Sequence, residues 1–345
     1  MTTFPYFPIL RWKMGEQGAV KNLVPGDRQN LLPIAEVQLL EAGTAQPKLK
    51  ASLEKAQAAT TPIGIDLSAA YDGPVPLAEL AKLTVSFQST GLQVWPVVQA
   101  ADALLGIAGL SVFNKQPGFV LRIFPNEMNL PTALSILQAL RKACGRHTLL
   151  YAVIDLGSIG EIDLRALAGM AHPFVRDIHA SGLVHQVAVA GGSFPYSLAG
   201  IPVGAANNLL RKELEVWKLV RTHPGCAEVA FGDYSVTSPK PLEDLNPWEM
   251  NPAAAIRYTL KNHWWLLRGS GIKTKGAGGM AQYNSLCKLL IGHANYVGNT
   301  FSFGDSRYDY HARPGSTPGS LMTWRRDATS HHLVYTVRQL LAGHV

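Results

Sequence analysis

The chain has 345 residues, 47 % of them hydrophobic and 16 % charged, with a formal net charge of +7. A chain of this length buries a full core without metals or disulfides, and the composition excludes wholesale disorder. No stretch approaches the roughly 20 uninterrupted apolar residues of a membrane span, so no membrane association is expected.

The run Met1–Lys13 carries its charge after its apolar part, the reverse of a signal peptide. Cys144, Cys226 and Cys287 lie far apart with no CxxC pair. That usage fits a cytoplasmic protein and argues against a disulfide framework or a cysteine-rich zinc site. The charge is unevenly placed. Residues 251–345 hold 11 of the 31 bases and 3 of the 24 acids, a net +8, and six of the eleven histidines. Residues 1–250 sum to −1.

Eight short runs rich in β-branched and aliphatic residues predict strands. They are Pro8–Trp12, Leu31–Val37, Pro62–Leu67, Gln93–Val98, Phe119–Phe124, Leu149–Asp155, Gln186–Ala190 and Glu228–Asp233. Helical patterns separate them: a short, glycine-broken one at 15–23, then 47–59, 77–83, 101–113, 129–141 and an amphipathic stretch at 207–220. Asn129 is placed to cap its helix, with Pro131 in the first turn. Strands alternating with helices imply parallel βαβ units, and eight units close naturally into a (β/α)8 barrel. An open doubly wound sheet is the alternative. It is disfavoured because no GxGxxG follows the first strand and no GxxxxGK[ST] occurs.

After Pro239 the alternation stops. Pro239, Pro241, Pro247 and Pro252 mark a connector. Residues 255–258 and 264–268 then read as a hairpin or two short strands, 269–279 as a glycine-rich loop, and 282–294 and 330–341 as helices with a loop between. The expected organisation is a barrel over 1–240 and a basic C-terminal elaboration over 241–345, lying over or beside the barrel mouth.

In a barrel the chemistry sits at the C-terminal ends of the strands. Those ends carry Lys13, Glu36, Asp66, Gln99, Arg122, Asp155, the Gly191–Ser193 turn and Asp233. Glu36, Asp66, Asp155 and Asp233 are candidate acid/base groups or oxygen ligands for a divalent cation. The opposing reading is that they neutralise one another or face the outer helices. No HxH, HExxH or Asp-x-Asp supports a metal in these segments. A Schiff-base role for Lys13 with pyridoxal phosphate is disfavoured, because Trp12–Glu16 lacks that enzyme pattern. No GxSxG elbow is present.

Arg257 and Arg268 in the basic part, with Arg122 and Lys13 at the strand ends, are the candidate anion-binding groups, Trp324 offers a stacking surface, and His331 is a candidate proton carrier. A cap that packs its aromatics and solvates its cations is the plainer alternative.

Several phrases taken in order resemble the phage- and prophage-associated beta family. They are Pro8–Glu16, Leu32–Glu36, Ile256–Tyr258, Trp265–Gly269, Phe301–Asp305, Thr323–Arg325 and Ser330–His332. Phe303 stands where a tryptophan is expected. The resemblance implies a cytoplasmic protein of phages or of bacterial defence neighbourhoods. It marks Lys13, Glu16, Glu36, Arg257, Arg268, Asp305, Trp324 and His331 as pattern positions without assigning roles. Two functions are therefore carried forward. One is a pocket for an anionic, phosphate-bearing ligand, with hydrolysis of a phosphoester or glycosidic bond. The other is a non-catalytic module docking nucleic acid or an acidic phage or host protein through its basic part.

Overall fold

The computed structural model describes residues 3–38, 45–57, 61–145, 147–204, 206–240 and 249–343. The strands are β1 (Tyr6–Arg11), β2 (Ile34–Glu36), β3 (Ile63–Asp66), β4 (Val94–Gln99), β5 (Gly118–Ile123), β6 (Leu149–Ser158), β7 (Gln186–Gly192), β8 (Ala206–Leu210), β9 (Ala230–Asp233), β10 (Ala253–Thr259) and β11 (His263–Gly271). The helices are α1 (Met14–Lys21), α2 (Pro25–Arg28), α3 (Ala45–Ala56), α4 (Leu77–Gln88), α5 (Ala100–Leu105), α6 (Leu130–Cys144), α7 (Leu164–Ala180), α8 (Lys212–Arg221), α9 (Gln282–Ile291), α10 (Phe303–Ala312) and α11 (Leu321–Leu341).

Strands β1 to β7 and β9 pair in parallel and in order, and β9 closes on β1. The fold is a (β/α)8 TIM-like barrel. Each of its strands overlaps one of the eight runs expected from sequence. Because side chains alternate along a strand, one parity lines the barrel and the other meets the helices. Phe7, Ile9, Ile34, Val97, Val120 and Val153 belong to the inner cluster. Leu10, Ala35, Ile65, Leu121 and Ile154 pack outward against the helices.

Aromatic rings fill the lower barrel. Trp95 stacks on Tyr151 at 5.6 Å, and Phe4 and Phe7 meet Tyr151 at 5.9 and 5.7 Å. Gly118 makes room for them, since a Cβ there would lie 2.2 Å from the Trp95 ring. The apolar floor leaves only the upper layer open to polar groups.

Helix caps follow local chemistry. Asn129 accepts from the Thr132 amide, Asp163 from Arg165 and Ala166, Ser302 from Asp305 and Ser320 from Thr323. Beside the barrel lies a three-stranded antiparallel sheet in the order β10-β11-β8. Its hairpin was expected, but its third strand was not. Residues 207–210, read as the start of an amphipathic helix, pair with β11, and the helix starts at Lys212.

Two further differences concern the C-terminal part. The stretch between the two last expected helices contains α10, and α11 begins nine residues earlier than expected, at Leu321. The connector expected at 239–252 falls largely on residues 241–248, outside the described residues.

Helix α11 runs between the barrel and the second sheet, contacting α1, β1, β10 and α10. It buries polar residues as well as apolar ones, among them Asp327, Ser330, His331, His332 and Thr336. Such a helix depends on having those groups hydrogen-bonded.

Candidate functional site

Four strand-end groups share the inward parity and meet above the aromatic floor. Arg122 of β5 is the hub. Its Nε donates to Asp155 Oδ2 at 2.7 Å, and Nη1 donates to Asp66 Oδ2 at 2.6 Å and to Glu36 Oε1 at 3.1 Å. Its Nη2 donates to the Tyr234 hydroxyl at 2.6 Å, which in turn donates to Asp155 Oδ2 at 2.6 Å. The guanidinium and the two aspartates are buried, whereas the Glu36 side chain keeps 14 % of its surface exposed.

Burial works against the charge on Arg122, but Tyr234, Asp155, Asp66 and Glu36 together carry its pKa above the ordinary arginine value. Burial raises the Glu36 carboxyl, helped by the neighbouring charges of Asp66 and Asp155 and opposed by Arg122. Three of the four candidate carboxylates, Glu36, Asp66 and Asp155, thus converge, and they do so on a guanidinium. Among the described residues no group of three or more His, Cys, Asp or Glu is arranged to hold a metal ion.

Asp233 does not join this cluster. It has the outward parity of β9 and accepts from the Tyr6 hydroxyl at 2.6 Å, and its other oxygen lies 2.8 Å from His332 Nε2. Burial opposes its charge, yet His332 and Arg211 hold its pKa below the usual carboxylate value. Tyr234, one residue further on, is the group that turns inward.

His331 is likewise remote from Glu36 in its bonding. Its Nδ1 lies 2.9 Å from Asp305 Oδ2 and its Nε2 2.9 Å from the Thr259 carbonyl, with the ring stacked 3.9 Å from Tyr258. Trp324 stacks on Tyr283 at 4.2 Å in a buried cluster, so it packs as the plainer alternative had it. Arg268 donates to the Ile201 carbonyl at 2.7 Å. Arg257 donates to the Val236 carbonyl at 2.6 Å and lies over the Phe194 ring. Burial and the nearby Arg325 push its pKa down to about 9.

A cavity of about 290 Å³ opens where the end of β1 meets the first turns of α1 and α11. Arg11, Lys13 and Arg325 line it together with Glu16. Arg11 is the inward residue paired in register with Glu36, which links the cavity to the Arg122 cluster. Its guanidinium is anchored by the carbonyls of Ser238, at 2.9 Å, and Lys240. The stem of Arg325 lies across the first turn of α1, where a Cβ on Gly15 would come within 2.7 Å of it.

Desolvation lowers the pKa of Arg11 and of Lys13, and Arg325 repels both. Glu16 is 3 % exposed. Its Oε1 is 4.0 Å from Arg325 Nη1 and its Oε2 has no hydrogen-bond partner. Burial raises its pKa against the pull of Arg325.

Of the strand-end candidates, Lys13, Glu36, Asp66, Arg122 and Asp155 belong to this mouth. Sequence reasoning did not single out Arg11 and Tyr234 as site residues. For Arg11 the signal was there, since it lies two residues beyond inward-facing Ile9. For Tyr234 the exact end of a short strand had to be known. A search of curated proteins finds no match. The family model described as Beta protein matches residues 6–338, and the chain belongs to that family.

Proposed function

We propose that the barrel mouth binds an anionic, phosphate-bearing ligand in the cavity formed by β1, α1 and α11. One observation carries the reading: the first turns of two helices and three cations, against the single acid Glu16, line one small space. The first turn of α1, which has no side-chain cap, and that of α11, whose Thr323 amide is capped by Ser320, present the positive ends of their dipoles, an arrangement suited to an oxyanion. Arg11, Lys13 and Arg325 repel one another across the same space, an effect offset in part by Glu16 and, at Arg11, by Glu36, and a bound dianion would add to that offset.

In this reading Arg122, Asp66, Asp155 and Tyr234 form a rigid floor, and Arg257 adds positive potential from behind Arg325. Glu36, beside Arg11, serves as the acid in hydrolysis of a phosphomonoester. Water attacks phosphorus, the ester P–O bond breaks and the leaving oxygen takes the Glu36 proton, while the proton lost by the attacking water passes to solvent, from which Glu36 is reprotonated. Asp233 and His331 act as structural groups. The phage- or defence-associated setting that the family resemblance implies is part of the same proposal.

The surface-docking alternative fares less well on the C-terminal arginines. Arg313, Arg326 and Arg338 are paired with Asp309, Asp327 and Asp27, which leaves less free charge for it.

The test is calorimetric titration with inorganic phosphate alongside turnover of a chromogenic phosphomonoester. Arg325→Gln should weaken phosphate binding by about tenfold or more. Glu36→Gln should keep binding and lose turnover. Failure to bind phosphate, with steeply salt-dependent binding of nucleic acid instead, would favour the docking module.

A further inference from the structure

The rim of the mouth cavity is apolar although its walls are cationic. Met14, Leu321 and Met322 line it and are 68 %, 45 % and 40 % exposed. Single exposed apolar side chains are ordinary, but three around one charged cavity mark a binding surface. Two are methionines, whose polarizable thioethers pack well against aromatic rings. Below them Glu16 Oε2 is buried without a partner. An oxygen in that state awaits a polar hydrogen. The volume is at the low end for small-molecule pockets, a size suited to one ring system and one phosphate.

Resting on the anion-binding reading above, we infer that the ligand is a phosphomonoester carried by a flat, nitrogen-bearing ring, a nucleoside monophosphate in chemical class. The phosphate lies among Arg11, Lys13, Arg325 and the two helix N-termini. The ring lies on Met14, Leu321 and Met322. Glu16 accepts a hydrogen bond from a ring amine or a sugar hydroxyl. Glu16 is thus a specificity residue, selecting ligands that carry such a donor.

The experiment is calorimetric titration of the full chain with inorganic phosphate, ribose 5-phosphate and the four common nucleoside monophosphates. At least one nucleotide should bind about tenfold tighter than ribose 5-phosphate, the increment expected for covering one exposed apolar side chain or two. In the Met14→Ser/Met322→Ser variant, whose altered side chains are exposed and support no core, that advantage should vanish. Glu16→Gln should narrow the preference among the bases.

If inorganic phosphate binds but no nucleotide binds more tightly than ribose 5-phosphate, the ring inference is overturned and the anion site stands. An advantage that survives the double methionine variant overturns it equally. If neither phosphate nor any nucleotide binds, the anion reading fails and this inference fails with it.

Discussion

Replacing Arg122 with methionine removes the one cation among Glu36, Asp66 and Asp155. The guanidinium makes four hydrogen bonds there, three to carboxylates and one to Tyr234. Methionine fills comparable volume, so the loss is electrostatic and not a cavity. Removing one partner from a buried ionic cluster costs about 3–5 kcal/mol, because the remaining charges stay buried and unpaired. If the chain unfolds as one unit with the usual entropy per residue, that lowers the melting temperature by roughly 4–7 °C.

The sign of the pH dependence sharpens the prediction. In the variant the carboxylates lose their counter-charge, so their folded pKa values rise above the unfolded ones. Carboxyls of that kind favour folding at low pH and lose that contribution as pH rises through the folded values. The deficit relative to wild type should therefore be large at pH 7.5 and smaller at pH 5, by urea titration or thermal melting. A loss under about 1 kcal/mol at pH 7.5, or a deficit equal at both pH values, would refute the argument.

Other consequences are independent of the mouth. Burial raises the Glu213 carboxyl to about 7, against the pull of Arg211, so the folded state gains a proton above the unfolded value. Stability should rise as pH falls from 8 toward 5, by up to about 3 kcal/mol from this group, and Glu213→Gln should remove that component of the slope in urea titrations. At the crossing of α10 and α11, a Cβ on Gly304 would sit 2.1 Å from the Asp327 carbonyl oxygen. Gly304→Ala should cost about 2 kcal/mol or more in thermal melts. Gly26→Ala, with nothing near its Cβ, should cost nothing or stabilise slightly.

The parallel barrel was legible because its strands are apolar runs separated by helices of ordinary length. Local periodicity failed where pairing partners distant in sequence decided the conformation. Asn207–Leu210 continues the apolar pattern of the helix after it, yet pairs with His263–Leu266 as β8. Helix α10 has no apolar stripe in its sequence. It forms because Ser302 caps it and Gly304 lets it approach the Asp327 backbone closely.

The Arg122 cluster followed from strand-end positions, whereas Asp233 and Tyr234 exchanged faces across one residue at the end of a four-residue strand. His331 could not be placed from sequence, since every face of α11 is mixed and the packing against Tyr258 and Asp305 alone decides its role. The cavity itself joins β1 and α1 to a helix more than 300 residues later, a contact that no local pattern encodes.

The central claim is that an oxyanion belongs at the mouth. Tungstate, a phosphate-like dianion that scatters X-rays strongly, can be located directly in soaked crystals. We expect its anomalous peak among Arg11, Lys13 and Arg325, at the first turns of α1 and α11, and its loss in Arg325→Gln. A peak only elsewhere on the molecule, or one at the mouth that persists in that variant, would contradict the account.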